Sequence, residues 1–574
     1  MGNWRRFAAS GIVGLVLVPL SAATTAPALA SNDFCARIGH VAASAGARMY
    51  CDFKASQLAG APRPKAATAV GKTPPEHNDQ GASRQFGKNV NAANPQEDQF
   101  AVPAGAQAYG QAETSIAATG PYVVEAWNDV TGFLAPCGLS YSPPFKEEIT
   151  GYGFSADGGR SFTDMGGLPN DCTTGYRLFG DPSVEGWQRG GTTYFYVSSL
   201  YISVVTGQSN VAVNACAATG NTLACKPPVL VAAGGPGDFL DKEFLSIDPS
   251  RSRLYASYTR YNGDPASPNF QGQIELAACD ISSPGTPVCS PGGSPTPYFV
   301  VQPGQLCQNE GSYPAVHVGS GDVYVAWEYN LLTNLGPPWG PTDCQTPAVQ
   351  NKVAYVPFAC LVVQPVSPCG TTPKQQAVNI ISIDLAIVPG YNRVPQFPSP
   401  GIQDFPRIAV SQPAGTVSIA WNDARRIPTA DILLQSFNLV SLTPVQDAPI
   451  RLNADPGSTW NILPALRNAD ADGKLNVTWY QQREPGALTD VMAAVSFDPR
   501  TQDTPRNVRV TTEPTGWLNV SSNIIPNFGD YTDNYVLATP NSPYADQTMF
   551  VAWSDGRLGL PQPFSSRLSP GDGQ

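Results

Sequence analysis

The stretch Thr416-Val-Ser-Ile-Ala-Trp-Asn-Asp-Ala-Arg-Arg426, with Asp404-Phe-Pro-Arg-Ile-Ala-Val410 just before it, decides the fold of this chain. It reads as a short strand that follows a proline, a turn, and a second strand that ends in Trp-Asn-Asp. The second strand recurs at Tyr122-Val-Val-Glu-Ala-Trp-Asn-Asp129, Tyr194-Phe-Tyr-Val-Ser-Ser199, Leu254-Tyr-Ala-Ser-Tyr258, Val323-Tyr-Val-Ala-Trp-Glu328, Leu475-Asn-Val-Thr-Trp479 and Met549-Phe-Val-Ala-Trp-Ser-Asp555. A strand unit repeated at intervals of several tens of residues, with no helical pattern between copies, is typical of a β-propeller.

The repeats predict an all-β chain with seven four-stranded blades. Six blades is the alternative count, because the copies at 194 and 254 lack the Trp. Too few residues follow Trp553 for a complete blade, whereas Gly87-Lys-Asn-Val-Asn-Ala-Ala-Asn-Pro95 resembles the outer strands that end other units. We therefore predict that this N-terminal segment supplies the outer strand of the last blade and closes the ring, which removes an exposed sheet edge.

The residues before the repeats divide into three predicted segments. Residues 1–30 have a basic flank, a short apolar run and a small-residue site at Ala28-Leu-Ala30, the pattern of a secretory signal peptide. Residues 31–51 hold Cys35 and Cys51 and predict a disulfide-clipped cap, with a removable pro-segment as the alternative. Residues 52–86 are rich in Ala, Pro and Gly and predict a linker, so the propeller should occupy residues 87–574. The mature protein is expected to be secreted and extracellular.

The cysteine content indicates that the protein is exported to an oxidising compartment, where disulfides can form. Their number is even, at 12, and all of them follow residue 30. Pairing them in sequence order would give Cys35–Cys51, Cys137–Cys172, Cys216–Cys225, Cys279–Cys289, Cys307–Cys344 and Cys360–Cys369. Three of these pairs bracket short loops and would each fasten one hairpin, although sequence alone does not decide connectivity. No His accompanies them, so they do not form a metal-binding pattern, and we expect no metal or other cofactor.

One further motif links the chain to a known group of propellers. Ser155-Ala-Asp-Gly-Gly-Arg-Ser-Phe162 resembles the Asp-box (BNR repeat) of the sialidase-like β-propeller superfamily. In this pattern the Asp and Gly make a tight hairpin, and the aromatic residue packs into the blade. The resemblance implies a propeller whose Asp-box hairpins lie on the face opposite the binding funnel. It says little about chemistry.

The funnel face should carry the residues before each inner strand and those after each Trp position. Among the carboxylates there, Asp181, Glu243, Glu310 and Asp404 are candidate acid or base groups, since carboxyl groups serve both roles in glycoside hydrolysis. Each of them is also compatible with an ordinary solvated loop residue. Tyr313, which begins an inner strand, is a candidate substrate-binding residue.

Arg407 is the most unusual of the inner-strand residues. At the positions we take as equivalent, other repeats carry the small residues Ser115, Ser183, Ala315 and Ala465. An Arg in a crowded channel is costly unless it pairs or binds something. Two interpretations remain open: Arg407 binds substrate, or it makes a structural ion pair with Asp404 or with a neighbouring blade.

The resemblance to sialidases implies a particular set of site residues. Arg407, Arg425 and Arg557 would form a carboxylate clamp, and Tyr531 or Tyr535 would be the nucleophile. The chain departs from the family pattern, however. Its first inner strand has Thr114-Ser-Ile-Ala instead of Arg-Ile-Pro, and seven copies exceed the six blades of sialidases. The Trp-x-Asp-x-Arg pattern around Arg425 and Arg557 also recurs in the superfamily as blade architecture.

Two function classes follow from these observations. The first is a glycan-active hydrolase that works in the central funnel, with a polysaccharide lyase as a variant. The second is a non-catalytic propeller that binds glycan or protein at the cell surface. The formal net charge of -11 disfavours nucleic acid, and no stretch after the leader is long and apolar enough for membrane insertion. Only three His are present and no phosphate-binding Gly loop, so triad and nucleotide chemistry are disfavoured. A monomer is expected.

Overall fold

The computed structural model describes residues 86–95, 110–129, 132, 148–203, 205–262, 271–290, 299–305, 308–331, 349–362, 374–381, 405–426, 429–455, 459–468, 472–483, 488–517, 520, 529–537 and 548–568. The predicted leader, the cap and the linker up to residue 85 lie outside this part of the chain. So do Asp404 and the cysteines Cys35, Cys51, Cys137, Cys307, Cys344 and Cys369. None of the helices in the described part of the chain has the length and apolar character of a membrane span.

Nearly all of the regular secondary structure in the described part of the chain is β-strand. In chain order these are β1 (Val90–Asn91), β2 (Gln111–Thr119), β3 (Tyr122–Asp129), β4 (Thr150–Ser155), β5 (Thr163–Gly167), β6 (Tyr176–Leu178), β7 (Val184–Arg189), β8 (Thr192–Ser203), β9 (Ser209–Thr219), β10 (Thr222–Cys225), β11 (Val229–Ala233), β12 (Phe239–Asp248), β13 (Arg253–Asn262), β14 (Gln271–Asp280), β15 (Val288–Ser290), β16 (Phe299–Gln305), β17 (Gln308–His317), β18 (Asp322–Leu331), β19 (Gln350–Val356), β20 (Lys374–Asn379), β21 (Arg407–Ser411), β22 (Thr416–Asp423), β23 (Asp431–Asn438), β24 (Ile450–Arg451), β25 (Thr459–Asn468), β26 (Leu475–Arg483), β27 (Leu488–Phe497), β28 (Asn507–Arg509), β29 (Thr515–Gly516), β30 (Asp533–Val536), β31 (Met549–Asp555) and β32 (Gln562–Leu568). A 3₁₀ turn at Cys172–Thr174 and the short helix α1 (Phe358–Val362) complete the described elements.

These strands form seven antiparallel sheets, the blades of a β-propeller. Blade 1 has the order β2-β3-β4-β5, blade 4 the order β17-β18-β19-β20 and blade 5 the order β21-β22-β23-β24. In blade 2 the inner strand is split into β6 and β7, and the outer strand into β10 and β11. Blade 3 contains β12 to β16 and blade 6 contains β25 to β29, each again with a divided outer strand. The predicted count of seven is confirmed, including the two copies that lack the Trp.

Both ends of the described chain meet in the seventh blade. Its order is β1-β32-β31-β30, and Val90 and Asn91 pair with Ser565 and Phe564. The segment before β1 also contacts blade 6, because the Asn89 side chain donates to the Val510 carbonyl. β1 is therefore the outer strand of the blade that contains the last repeat.

Packing between blades explains why the Trp pattern marks the fold. Trp127, Trp327, Trp421, Trp479 and Trp553 are all among the largest fully buried side chains. Each belongs to a second strand, where it lies in the apolar layer between sheets; Trp553, for example, shares one apolar cluster with Ile462 and Tyr480 of blade 6. Burial of a large aromatic side chain at one position per repeat stabilises each blade against its neighbour.

The hairpins away from the site follow the predicted turn chemistry. In Ser155–Phe162 the carboxylate of Asp157 accepts from the backbone N–H groups of Arg160 and Ser161, both at 3.0 Å. Phe162 packs against Trp127 and Ala92. In blades 2 and 3 disulfides Cys216–Cys225 and Cys279–Cys289 join residues directly opposite each other in one hairpin, as predicted. Cys172 and Cys360 are also disulfide-bonded.

The strand register defines three rings of residues around the central axis. The middle ring consists of the inner-strand residues that pair with the residue before each Trp position: Ser115, Ser183, Phe244, Tyr313, Arg407, Ala465 and Asp533. Two further rings consist of the residues two positions earlier and two positions later in the chain. They are the upper ring, Glu113, Asp181, Lys242, Gly311, Phe405, Leu463 and Tyr531, and the lower ring, Ala117, Glu185, Ser246, Ala315, Ala409, Arg467 and Tyr535.

This register corrects one sequence-based alignment. Tyr313, and not Ala315, is the equivalent of Arg407, since Tyr313 pairs with Ala326 as Arg407 pairs with Ala420. The middle ring also contains Phe244 and Asp533, so the channel is not lined by small residues with a single Arg among them. The error arose because the prolines do not occupy equivalent positions: Pro314 follows the middle-ring residue of blade 4, whereas Pro406 precedes that of blade 5.

Candidate functional site

The upper ring contains a buried cluster of charged side chains centred on Lys242. Its ammonium nitrogen lies 2.7 Å from Asp530 Oδ2, 3.4 Å from Asp181 Oδ2 and 3.6 Å from Glu113 Oε1. These residues come from blades 3, 7, 2 and 1, so the contacts cross the axis of the propeller. Lys242 and its three partners are essentially inaccessible to solvent. We call these four residues the Lys242 cluster.

The bulges that precede the inner strands direct these side chains towards the axis. Glu113, Asp181 and Lys242 occupy the same repeat position and all have left-handed backbone, with φ of 55°, 55° and 54°. The same position is Gly311 in blade 4 and Leu463 in blade 6, both also with positive φ. The strained conformation is therefore a property of the blade, and three of the seven blades place a charged side chain on it.

Glu113 and Asp181 are held next to each other by Asn128. The Asn128 amide nitrogen donates to Glu113 Oε2 at 2.6 Å, and Asn128 Oδ1 accepts from the backbone N–H of Asp181 at 2.6 Å. The other Glu113 oxygen accepts from the backbone N–H of Asp530 at 2.9 Å. Gly529 is required here, because a Cβ on it would lie 2.1 Å from Glu113 Cγ.

The electrostatics of this pair favour a shared proton. Burial, reinforced by the charge of Asp181, raises the pKa of Glu113 to about 7, and Lys242 opposes the rise. Burial also raises the pKa of Asp181, against the attraction of Lys242. Glu113 and Asp181 hydrogen-bond to each other, which favours one proton on the pair. A carboxyl group that titrates near neutral pH is suited to general acid catalysis.

Two further predicted carboxylates lie close to the cluster. Glu243 follows Lys242 and is fully buried; burial and then Asp181 raise its pKa well above the usual range. Glu310 is in the next blade, opposite Glu328 in the register and close to Tyr261. Burial, and then the charge of Asp241, raise its pKa well above the usual range. Both groups are suited to the protonated state at neutral pH.

The raised carboxyl pKa values predict that the protein becomes less stable as the pH rises. Glu113, Glu243 and Glu310 bind protons more tightly in the folded chain than in the unfolded chain, where the pKa is near 4.5. Between about pH 4.5 and 7 the native state therefore holds more protons, and the free energy of unfolding falls with increasing pH. Urea unfolding should show a higher midpoint at pH 5.5 than at pH 7.5. An unchanged or higher midpoint at pH 7.5 would contradict these protonation states.

Arg407 lies deeper in the channel, in the middle ring. Its guanidinium carbon lies 4.4 Å from the ring centre of Phe244, 4.8 Å from that of Tyr313 and 5.4 Å from that of Tyr531. Its Nε and Nη2 donate to the carbonyl oxygens of Pro464 and Thr532, both at 3.3 Å. Arg407 is only 4% exposed, and burial lowers its pKa. The side chain fills the channel beneath the Lys242 cluster.

These contacts predict that the main effect of Arg407→Ala is a loss of folding stability. A desolvated cation–π contact is worth about 2 kcal/mol, and the truncation also leaves a cavity. We expect the free energy of unfolding to fall by at least about 2 kcal/mol. Chemical denaturation of Arg407→Ala and Arg407→Lys measures it, and Arg407→Lys should lose less because it keeps the charge. An unchanged stability in Arg407→Ala would favour the substrate-binding interpretation.

The other predicted clamp and nucleophile residues already have partners within the protein. Arg425 makes two 2.7 Å contacts with Asp423, which also accepts from the Trp421 indole. Arg557 contacts Asp555 at 2.6 Å, and Asp555 accepts from Trp553. Tyr531 donates its hydroxyl to the Pro182 carbonyl at 3.0 Å, and burial raises its pKa well above the usual range. No contact between Arg407, Arg425 and Arg557 occurs in the described part of the chain.

Sequence reasoning did not select Glu113, Asn128, Lys242 and Asp530 as site residues. All four lie in segments that the funnel rule indicated, before an inner strand or just after a Trp position. An alignment of the repeats could have found two of them. Glu113 and Lys242, like the predicted Asp181, are charged residues at the same repeat position, two before the middle ring, in three successive blades. Asp404 lies outside the described residues.

Comparisons with known proteins give distant likenesses only. Searches with protein-family models and against curated proteins find no match to the chain. Among solved structures, a Trypanosoma rangeli sialidase in complex with the inhibitor DANA aligns with 71% of this chain and 58% of its own, at 9% identity and a TM-score of 0.36. A Hadza microbial sialidase aligns with 68% of this chain and 65% of its own (11% identity, TM-score 0.35). An endo-arabinase from Bacteroides thetaiotaomicron aligns with 58% and 94% (12% identity, TM-score 0.29). The chain thus spans less than two thirds of either sialidase, and residue roles do not transfer at this similarity.

Proposed function

We propose that this protein is a glycan-active hydrolase that works at the Lys242 cluster. The observation that carries the proposal is the Glu113–Asp181 pair: two buried carboxyl groups that share a hydrogen bond, one of them with a pKa of about 7. A carboxyl group that titrates near neutral pH beside ionised carboxylates is suited to be the general acid of glycoside hydrolysis. In the described part of the chain no group of His, Cys, Asp or Glu is arranged to hold a metal ion.

The proposed reaction uses the proton on Glu113. Glu113 gives this proton to the glycosidic oxygen as the bond from that oxygen to the anomeric carbon breaks. Water adds to the anomeric carbon, and the proton that it loses passes to a carboxylate of the cluster. Asp530, ion-paired with Lys242 at 2.7 Å, is the candidate acceptor. Glu113 and Asp181 are hydrogen-bonded to each other, so they act as one acid unit and not as the two separated carboxyl groups of a nucleophile and an acid.

The charge balance favours a neutral glycan over a sialoside. One Lys faces three carboxyl groups in the cluster, and Asp241 adds a further negative charge beside it. A substrate carboxylate would be repelled there. The two arginines of the implied clamp nearest the surface, Arg425 and Arg557, already hold Asp423 and Asp555. We therefore place neutral glycosides ahead of anionic ones. A predicted leader and disulfides support action outside the cell.

One observation favours a second candidate function. Lys242, Glu113, Asp181 and Asp530 are at most 1% exposed, as expected for an ion network that fastens blades together. Under this interpretation the cluster is structural, and the protein is a non-catalytic propeller that binds glycan or protein on its surface.

Turnover of a glycoside panel decides between the two candidates. The panel contains neutral pyranosides, neutral furanosides and sialosides, and the wild type is compared with Glu113→Gln and Glu125→Gln. Glu125 is a matched control because it is a fully buried Glu in the same blade, outside the cluster. Hydrolysis of a neutral glycoside that is lost only in Glu113→Gln supports the proposal. No turnover by the wild type on any substrate would support the binding propeller.

A further inference from the structure

The Asn that follows the Trp position has a recurring role in joining consecutive blades. In blade 1 Asn128 Oδ1 accepts from the backbone N–H of Asp181 in blade 2. In blade 5 Asn422 Oδ1 accepts from the backbone N–H of Leu463 in blade 6, at 3.1 Å. Asp181 and Leu463 are both left-handed upper-ring residues. Each Asn side chain thus satisfies a buried backbone donor next to a strained residue.

Asn128 has a second contact that concerns the acid pair. Its amide nitrogen donates to Glu113 Oε2 at 2.6 Å and lies 3.4 Å from Asp181 Oδ1. Asn128 is fully buried, and Gly180 is needed beside it, because a Cβ there would lie 2.2 Å from Asn128 Oδ1. The side chain therefore has a fixed orientation between the two carboxyl groups. At Asn422 the upper-ring residues on either side are Phe405 and Leu463, neither of which ionises.

We propose that Asn128 is a positioning residue that fixes the Glu113–Asp181 pair and sets the proton affinity of Glu113. The inference rests on the proposed function only for its catalytic consequence, since the hydrogen bonds exist whether or not the pair is catalytic. A donor to a carboxylate stabilises the ionised form. Asn128 therefore limits how far burial raises the pKa of Glu113. At neutral pH Glu113 is then present in both its protonated and its ionised form, instead of being fully protonated.

The charged groups that face Glu113 come from three blades. Asp181 favours its protonated form, whereas Lys242 and the backbone N–H of Asp530 favour its ionised form. Tyr531 also lies within electrostatic range. Asn128→Ala leaves the charges of these groups in place, so a change in the titration of Glu113 reports on the contacts that Asn128 makes with the pair.

The test is an infrared titration of the full-length protein with isotope-labelled Glu side chains. The Glu113 carboxyl band is identified as the one that disappears in Glu113→Gln. In Asn128→Ala the midpoint of this band should rise by about one pH unit, because one donor to the carboxylate is lost. Asn422→Ala is the matched control: it loses the same bridge to the next blade, but it should leave the Glu113 midpoint unchanged.

A second variant covers the case in which Asn128→Ala does not fold. Asn128→Asp keeps an oxygen for the Asp181 N–H and replaces the donor by an acceptor, so the Glu113 midpoint should rise further. An unchanged midpoint in both Asn128 variants, or equal shifts in the Asn128 and Asn422 variants, overturns the proposal. If the wild type hydrolyses a glycoside, the alkaline limb of its pH profile should move with the infrared midpoint. If it hydrolyses none, the proposed function fails while the infrared result still decides the role of Asn128.

Discussion

Replacing Lys242 by Met should destabilise the protein by about 3–5 kcal/mol, the usual cost of removing one partner from a buried ion network. Lys242 is the cation in contact with Glu113, Asp181 and Asp530, and all four residues are inaccessible to solvent. Without it, at least two carboxylates must remain ionised without a counter-ion or take up protons. Either outcome costs free energy at neutral pH. Met keeps a long non-glycine side chain on the same left-handed backbone, so backbone strain does not change.

Urea unfolding at pH 7.5 and at pH 5.5 measures this effect. The destabilisation should be smaller at pH 5.5, where the orphaned carboxyl groups accept protons more readily. Lys474→Met is a control, since Lys474 is 46% exposed and contacts Asp472 at 3.5 Å; its stability should change by less than about 0.5 kcal/mol. A double-mutant cycle with Asp530→Asn isolates the 2.7 Å ion pair. A loss below about 1 kcal/mol for Lys242→Met would mean that the cluster is already protonated and does not depend on its cation.

The fold was predictable because the repeat is marked by large apolar residues that a folded protein buries. A Trp near the end of a second strand is buried between two neighbouring sheets. The five Trp residues at this repeat position therefore located five of the blades directly. The two remaining blades keep the strand pattern while Ser199 and Tyr258 take the marker position, both still buried. Cys pairs close in sequence also had few partners to choose from, and Cys216–Cys225 and Cys279–Cys289 lie in single hairpins.

The candidate site was predictable in place but not in composition. The funnel rule indicated the segment before each inner strand, and Asp181 and Glu243 do lie at or beside the Lys242 cluster. A bulge, however, inserts one residue before the middle ring, and a sequence does not show which residue takes the left-handed conformation. The misplacement of Ala315 for Tyr313 had a different cause, the position of the proline relative to the middle-ring residue, which differs between blades 4 and 5. Nor does a sequence show that Lys242 reaches across the axis to Asp530, since that contact joins residues 288 positions apart.

The arginines illustrate a different limit. Arg407, Arg425 and Arg557 look alike in the sequence, each near an aspartate. In the structure Arg407 is surrounded by three aromatic rings, whereas Arg425 and Arg557 each bind an aspartate two residues earlier. Local spacing was sufficient for these two ion pairs, because the Trp-x-Asp-x-Arg pattern contains both members of each. It does not show the further contacts of Arg425 with Asn379 and of Arg557 with Asn89. The aromatic residues around Arg407 come from blades 3, 4 and 7, which only the closed ring brings together.

Glu113→Gln should reduce turnover of a neutral glycoside by about 10²- to 10⁴-fold, the range that a positioned general acid contributes. The amide has no proton to give to the leaving oxygen. In the wild type, turnover should fall as the pH rises through about 7, because the active form of Glu113 is the protonated one. That limb should be absent in Glu113→Gln. Glu125→Gln should keep both the rate and the limb, since Glu125 faces Ser565 in blade 7 and not the cluster.

Substrates with different leaving groups distinguish a loss of general acid catalysis from a structural disturbance of the site. Both oxygens of Glu113 accept N–H groups, from Asp530 and from Asn128, so a Gln must turn its own NH₂ towards one of these donors. Some destabilisation, about 1–3 kcal/mol, is therefore expected from geometry alone. A nitrophenyl glycoside has a leaving group that departs without protonation, whereas an alkyl glycoside does not. Loss of general acid catalysis in Glu113→Gln should consequently be large for the alkyl glycoside and small for the nitrophenyl glycoside. Equal losses on both substrates would show that Glu113 maintains the structure of the site and that the acid lies elsewhere.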